Sequence, residues 1–132
     1  MDTSTTPRFI VNDADTVTDT RTGLMWSRSP LNTKGLDQRD CEKLASECCI
    51  GGHSDWHLPT REELVALVDD TRHSPAIDTD AFPGVTGGWY WTSTPTAWSA
   101  SVAWFVNFGS GFVSYNLRHC DGFALAVRRA GQ

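Results

Sequence analysis

The chain has no apolar run approaching the ~18 residues needed to cross a bilayer, so no membrane-spanning helix is expected. Its opening, MDTSTTPRF, has neither a basic start nor an apolar stretch behind it, so it does not read as a secretory signal peptide. Positive charge is not in surplus: 11 Lys and Arg stand against 16 Asp and Glu, for a net charge of −5. That balance argues against general binding to nucleic acid or sulfated polysaccharide, both of which favour a basic face. There is no G-x-S-x-G elbow, no Gly-rich phosphate loop, no internal repeat and no low-complexity segment. Cys41, Cys48, Cys49 and Cys120 follow no familiar framework, and adjacent pairs such as Cys48 and Cys49 rarely bond to each other. An even count permits a bridge such as Cys41 to Cys120, but connectivity does not follow from sequence. Without a signal peptide, free thiols are the simpler expectation.

What is present fits one domain. The 132 residues can bury a core without staples, and 39% hydrophobic with 20% charged residues is ordinary for a globular chain. Six Trp and 11 Gly suit a loop-rich fold that presents rigid aromatics. Residues 1–7 read as a flexible N-terminus and residues 8–129 as the domain. Within 8–28, Phe9, Val11, Val17, Leu24 and Trp26 suggest two or three short strands joined by NDAD and RTG turns. Asp37 can cap a helix running to about Cys49, with Cys41, Leu44, Ala45 and Cys48 on its buried stripe and Gly51-Gly52 ending it. Thr60 and Glu63 form a capping box after Pro59, opening a second helix to about Asp70 with Leu64, Leu67 and Val68 on its apolar face. From Trp89 the pattern is β: WYWTST, VAWFVNF, a GSG turn, FVSYN and FALAVRR. In VAWFVNF, period-2 alternation assigns Trp104, Val106 and Phe108 to the core and turns Phe105 and Asn107 outward.

Constellations that could carry chemistry are weak. Cys48 or Cys49 with His53 and His57 approaches a zinc spacing, but no fourth ligand is near, and no metal is assigned. Asp13, Asp15 and Asp19 cluster oxygens without the Gly and distal Glu of a calcium loop, so they read as turn chemistry. His119 and Cys120 are sequence neighbours, which does not supply a nucleophile–base geometry, and Asp69-Asp70 reads as a solvated helix end. No catalytic residue and no cofactor is expected; the chain reads as a non-enzyme.

Four phrases carry a resemblance: VTDTRTGLMW at 17–26, SDWHLPTREEL at 54–64, YWTST at 90–94 and AWFVNF at 103–108. They resemble the domain that ends certain bacterial collagen-like adhesins, which is also similar to the scaffold of variable proteins made by diversity-generating retroelements. The resemblance implies an α+β, C-type lectin-like fold, with two helices packed on short antiparallel sheets and long loops. Two positions depart from the pattern. His57 stands where the family usually has Arg, which would weaken a local salt bridge, and Ala126 stands where many members have Cys, which leaves Cys41 without a disulfide partner. The L-P-T-x-E start is also similar to the formylglycine-generating enzyme. That enzyme depends on two cysteines near its C-terminus, where this chain has Cys120 alone, so the likeness supports the fold and not the oxidase. The E-P-N and W-N-D triplets of calcium-dependent lectins are absent.

Retroelement diversification rewrites adenines in AAC-rich codons, so altered positions exclude Lys, Gln, Glu, Met and Trp. None of the five occurs from Phe105 to Phe123, whereas SYNLRHCDGF at 114–123 holds ten different residue types, all of them permitted. The resemblance therefore implies a variable region within 95–129. Phe105, Asn107, Ser110, Phe112, Ser114, Tyr115, Asn116, Arg118, His119 and Asp121 become the candidate ligand contacts, with Phe105, Phe112 and Tyr115 as anchors. Trp98 and Trp104 lie outside that alphabet and are expected to be fixed scaffold, as are Trp26, Trp56, Trp91, Leu64 and Phe108. The expected partner is a protein or glycan ligand on a cell or host surface, met by a monomer or trimer displayed on a phage particle or cell. The alternative is a fixed adhesin domain for host-surface polysaccharide.

Overall fold

The computed structural model describes residues 7–131; the expected flexible N-terminus lies almost wholly outside them. The first three strands are β1 (Phe9–Val11), β2 (Thr16–Asp19) and β3 (Leu24–Ser27). β7 (Val127–Arg129) pairs with β3, giving an antiparallel sheet of order β1-β2-β3-β7 that brings the two ends of the domain together. Of the three aspartates expected to do turn chemistry, Asp13 does so, while Asp19 lies in β2. The Asp13 carboxylate accepts from the Asp15 and Thr16 amides and from the Thr16 hydroxyl, and those backbone bonds hold its pKa below the usual value. Asp19 is buried and takes two bonds from Arg8, at 3.2 and 3.0 Å.

Helix α1 (Gln38–Ser46) starts at Asp37, whose carboxylate accepts from the Asp40 amide at 2.8 Å. It stops short of Cys49. The chain instead makes a 3-10 turn at Ile50–Gly52, where Gly51 and Gly52 both take positive φ. Cys41 and Ala45 are fully buried, while Leu44 and Cys48 are only half-buried. Helix α2 (Arg61–Val65) has the full capping box between Thr60 and Glu63. It too ends early, because Leu67 and Val68 donate to the carbonyls three residues back and tighten the backbone into a narrower turn. Leu64 and Leu67 are buried all the same.

The second sheet holds β4 (Trp89–Thr96), β5 (Ser99–Asn107) and β6 (Val113–Leu117), antiparallel in that order. The FALAVRR segment is a strand only at its end. Residues 124–126 are fully buried, and side chains serve part of their backbone: Asn32 Oδ1 accepts from the Ala124 amide and Ser27 Oγ from the Ala126 amide.

Two apolar layers meet at β5. One contains Val17, Trp26, Leu64, Leu67, Phe82, Tyr90, Val106 and Phe108; the other contains Cys41, Ala45, Trp56, Trp91, Ala103, Phe105 and Ala126. The expected orientation of β5 is corrected here. Phe105 is 5% exposed, stacked on Trp89 at 4.1 Å with Trp91 at 4.8 Å, whereas Trp104 is only half-buried. A strand covered on both sides is apolar on both faces, and alternation then carries no phase. Cys41 and Ala126 share the second layer, and Cys41, Cys48, Cys49 and Cys120 are all free thiols.

Leu64→Ala or Leu67→Ala should destabilise the domain by about 2–5 kcal/mol. Urea denaturation checks this; parental stability in both variants would place α2 outside the core.

Candidate functional site

The exposed surface of the second sheet follows from its register. Trp104 lies directly across from Tyr115 and Val102 from Leu117 on one face, while Phe105 lies across from Ser114 and Ala103 from Asn116 on the other. The ten candidate residues therefore do not share a face. Phe105 is in the core and cannot contact a ligand. Asn107 accepts from the Gly109 and Ser110 amides at 2.7 and 3.3 Å, and Ser110 Oγ accepts from the Phe112 amide at 3.3 Å, so both shape the β5–β6 turn. Phe112, next in the chain, is 69% exposed. Asn116 caps the Leu117 amide at 2.8 Å.

Arg118 is a clamp. Its guanidinium donates to Gln38 Oε1 at 2.7 Å, Glu42 Oε1 at 3.1 Å and the Ala100 carbonyl at 3.3 Å. Gln38 is buried and donates onward to the Thr92 carbonyl at 3.0 Å, so β4, α1 and the end of β6 are tied through one side chain. Beside the clamp lies an open depression of about 700 Å³. Asp37 and Arg39 line it from α1, Ala100 and Ser101 from β5, and Leu117, Arg118 and His119 from β6 and the loop beyond. His119 and Asp121 are exposed in that loop, and Ser114 is half-buried. Asp121 is held close to Gly35, where a Cβ would stand 2.8 Å from its own.

Sequence reasoning missed the centre of this surface. Trp98 occupies the two-residue turn between β4 and β5 and is 61% exposed. Its ring packs edge-on with Tyr115 at 5.0 Å and Trp104 at 5.8 Å, and Trp104 meets Tyr115 at 5.5 Å. The available signal was the turn itself, where a large aromatic has no local conformational reason to be.

The other constellations do not assemble. Among the described residues, no three His, Cys, Asp or Glu side chains are grouped to hold a metal ion. Burial pushes the Cys41 thiol up to about 12, with Asp37, Asp40 and Asp121 adding to it, so this sulfur is no nucleophile. His57 is instead 3.7 Å from Glu63. At that distance it is a charge pair rather than a good hydrogen bond. Glu63 raises the His57 pKa above the usual 6.5, and His57 lowers that of Glu63 below 4.5, while burial opposes both shifts. The raised His57 value stabilises the fold below the unfolded-state value and loses that effect as pH rises through the folded one. The lowered Glu63 value does the reverse on the acid side.

The sequence profile of the Lcl C-terminal domain matches residues 15–128. Among curated proteins, none matches the chain.

Two measurements test this layout. Phe105→Ser should cost about 3–5 kcal/mol, whereas Phe112→Ser and His119→Ser should each stay within about 0.5 kcal/mol of the parent in urea denaturation. Equal losses would return all three to the core. His57→Arg keeps its charge at alkaline pH. Its stability relative to the parent should therefore rise by up to about 1 kcal/mol between pH ~5.5 and ~8, a half-exposed pair being worth no more. An unchanged difference would mean that the pair does not titrate.

The α+β architecture and a profile match running from β2 to β7 lead to one conclusion: the chain belongs to the Lcl C-terminal domain family and is a C-type lectin-like domain.

Proposed function

We propose that this domain is a non-enzymatic recognition module whose binding surface lies around Tyr115, with a rim diversified by a retroelement within residues 95–129. One observation carries the reading. Among the described residues, the exposed large hydrophobics are Ile10, Val11, Trp98, Phe112, Tyr115 and Leu117, and four of these six fall in that region. Of these, Trp98 and Tyr115 are in ring contact and Leu117 shares the face of Tyr115, and a contiguous exposed apolar patch is the mark of an interface. Tyr115 supplies the central contact to a protein or glycan ligand on a cell or host surface, with Phe112, His119 and Asp121 exposed on the turn and loop that flank β6, while Ser114 and Asn116 lie on its other face. Asn107, Ser110 and Arg118 act on the ligand through the shape of the turn and loop they hold. Phage or cell display gives such a face its use.

A second reading, a fixed adhesin domain, is favoured by one feature of the same surface. Arg118 is committed to three internal partners, and free variation there would release them. Sequencing the intact locus separates the two. A reverse-transcriptase gene beside a near-copy of the segment for 95–129, differing at adenines, is the expected result. An intact locus without that copy overturns diversification and leaves the fixed adhesin. Against any ligand recovered from a protein or glycan array, Phe112→Ser with Tyr115→Ser should abolish binding. Retained binding would move the site elsewhere.

A further inference from the structure

The rings of Trp98, Trp104 and Tyr115 meet pairwise at 80°, 82° and 86°, so the three planes are close to mutually perpendicular. In an edge-to-face contact only one of the two rings gives up a face. Three rings have six faces; their three contacts take at most three, which leaves at least three not covered by the other two rings. One of these has a companion. The guanidinium of Arg61 lies 4.2 Å from the Trp104 ring centre, and Arg61 is itself exposed at the start of α2. Its amide donates to Thr94 Oγ1 at 3.0 Å, which fixes the helix start beside β4. Trp98 and Tyr115 remain 61% and 49% exposed.

Aromatic faces carry negative potential and attract cations, indole most strongly. The chain's own Arg61 shows that a guanidinium fits this surface. Long-range charge acts in the same direction, since a net charge of −5 draws cations and repels anions. It also disfavours a membrane surface rich in anionic lipid. We infer that Trp98, Trp104 and Tyr115 receive an organic cation presented by a protein partner, an Arg or Lys side chain on an exposed segment. This rests on the recognition surface proposed above and names the chemistry of its centre. Arg61 then acts as an internal competitor, holding a Trp104 face that a partner's cation would otherwise use.

The test is an indole 1H–15N correlation spectrum of the full chain, titrated at constant ionic strength with N-acetyl-arginine methylamide and, separately, with its neutral citrulline counterpart. The Trp98 and Trp104 signals should move with the arginine probe and not with citrulline, while those of buried Trp26, Trp56 and Trp91 stay in place. Arg61→Gln should tighten probe binding by about threefold or more, because a competing cation is removed. Trp98→Ala should abolish the response, and its remaining indole signals report that the fold is intact. Equal shifts with citrulline would overturn the inference, as would weaker binding in Arg61→Gln or a response to phosphocholine vesicles or neutral sugars alone. If an array ligand needs Trp98 while the arginine probe moves nothing, the cation assignment falls and the recognition surface stands.

Discussion

The double burial of β5 governs this domain. Phe105 and Ala103 point into one apolar layer, Val106 and Phe108 into the other, and the two helices take opposite sides: α1 contributes Cys41 and Ala45 to the first, α2 contributes Leu64 to the second. Neither layer is complete without this strand, so Ala103, Phe105, Val106 and Phe108 are closed to ligand. The half-buried Trp104, the exposed start of β5 and the edge strand β6 remain for recognition. The exposed aromatics occur there: Phe112 just past the β5–β6 turn, and Trp98 and Tyr115 toward the other end.

Polar side chains, rather than disulfides, anchor the loops to that frame. Asp19 with Arg8 and Asp55 with Arg128 each make two bonds across the chain, and each has one partner buried. Such pairs contribute to the uniqueness of the arrangement more dependably than to its net stability, because desolvation offsets much of the attraction. Asn32 and Ser27 serve the backbone of residues 123–126 in the same way. Cys41 and Ala126 lie in the same apolar layer with no disulfide there, so these polar contacts hold the loops in place.

Local chemistry was legible in the sequence, and depth was not. The Asp37 cap, the Thr60–Glu63 box, the turn role of Asp13 and the strands of WYWTST, VAWFVNF and FVSYN are written in short-range patterns, and the structure has them. Helix ends came out too long because α1 stops at Ser46, ahead of its glycine signal, and the backbone of α2 tightens after Val65. Phe105 was placed on the wrong side because a strand apolar on both faces gives no phase. The centre of the candidate surface escaped for a related reason. Trp98 lies outside the diversified alphabet and so reads as fixed scaffold, although a fixed residue can equally stand at the middle of an exposed face.

The Arg118 clamp has a practical consequence for anyone using this domain as a binding scaffold. A randomised library that includes position 118 would spend most of its members on chains whose α1 start and β6 end are no longer tied together. Holding Arg118, Gln38 and Glu42 constant, and keeping Asn107 for the turn, confines diversity to positions the frame does not consult. The usable surface is then smaller than the variable-looking stretch of sequence, and its members should differ in what they bind rather than in whether they fold.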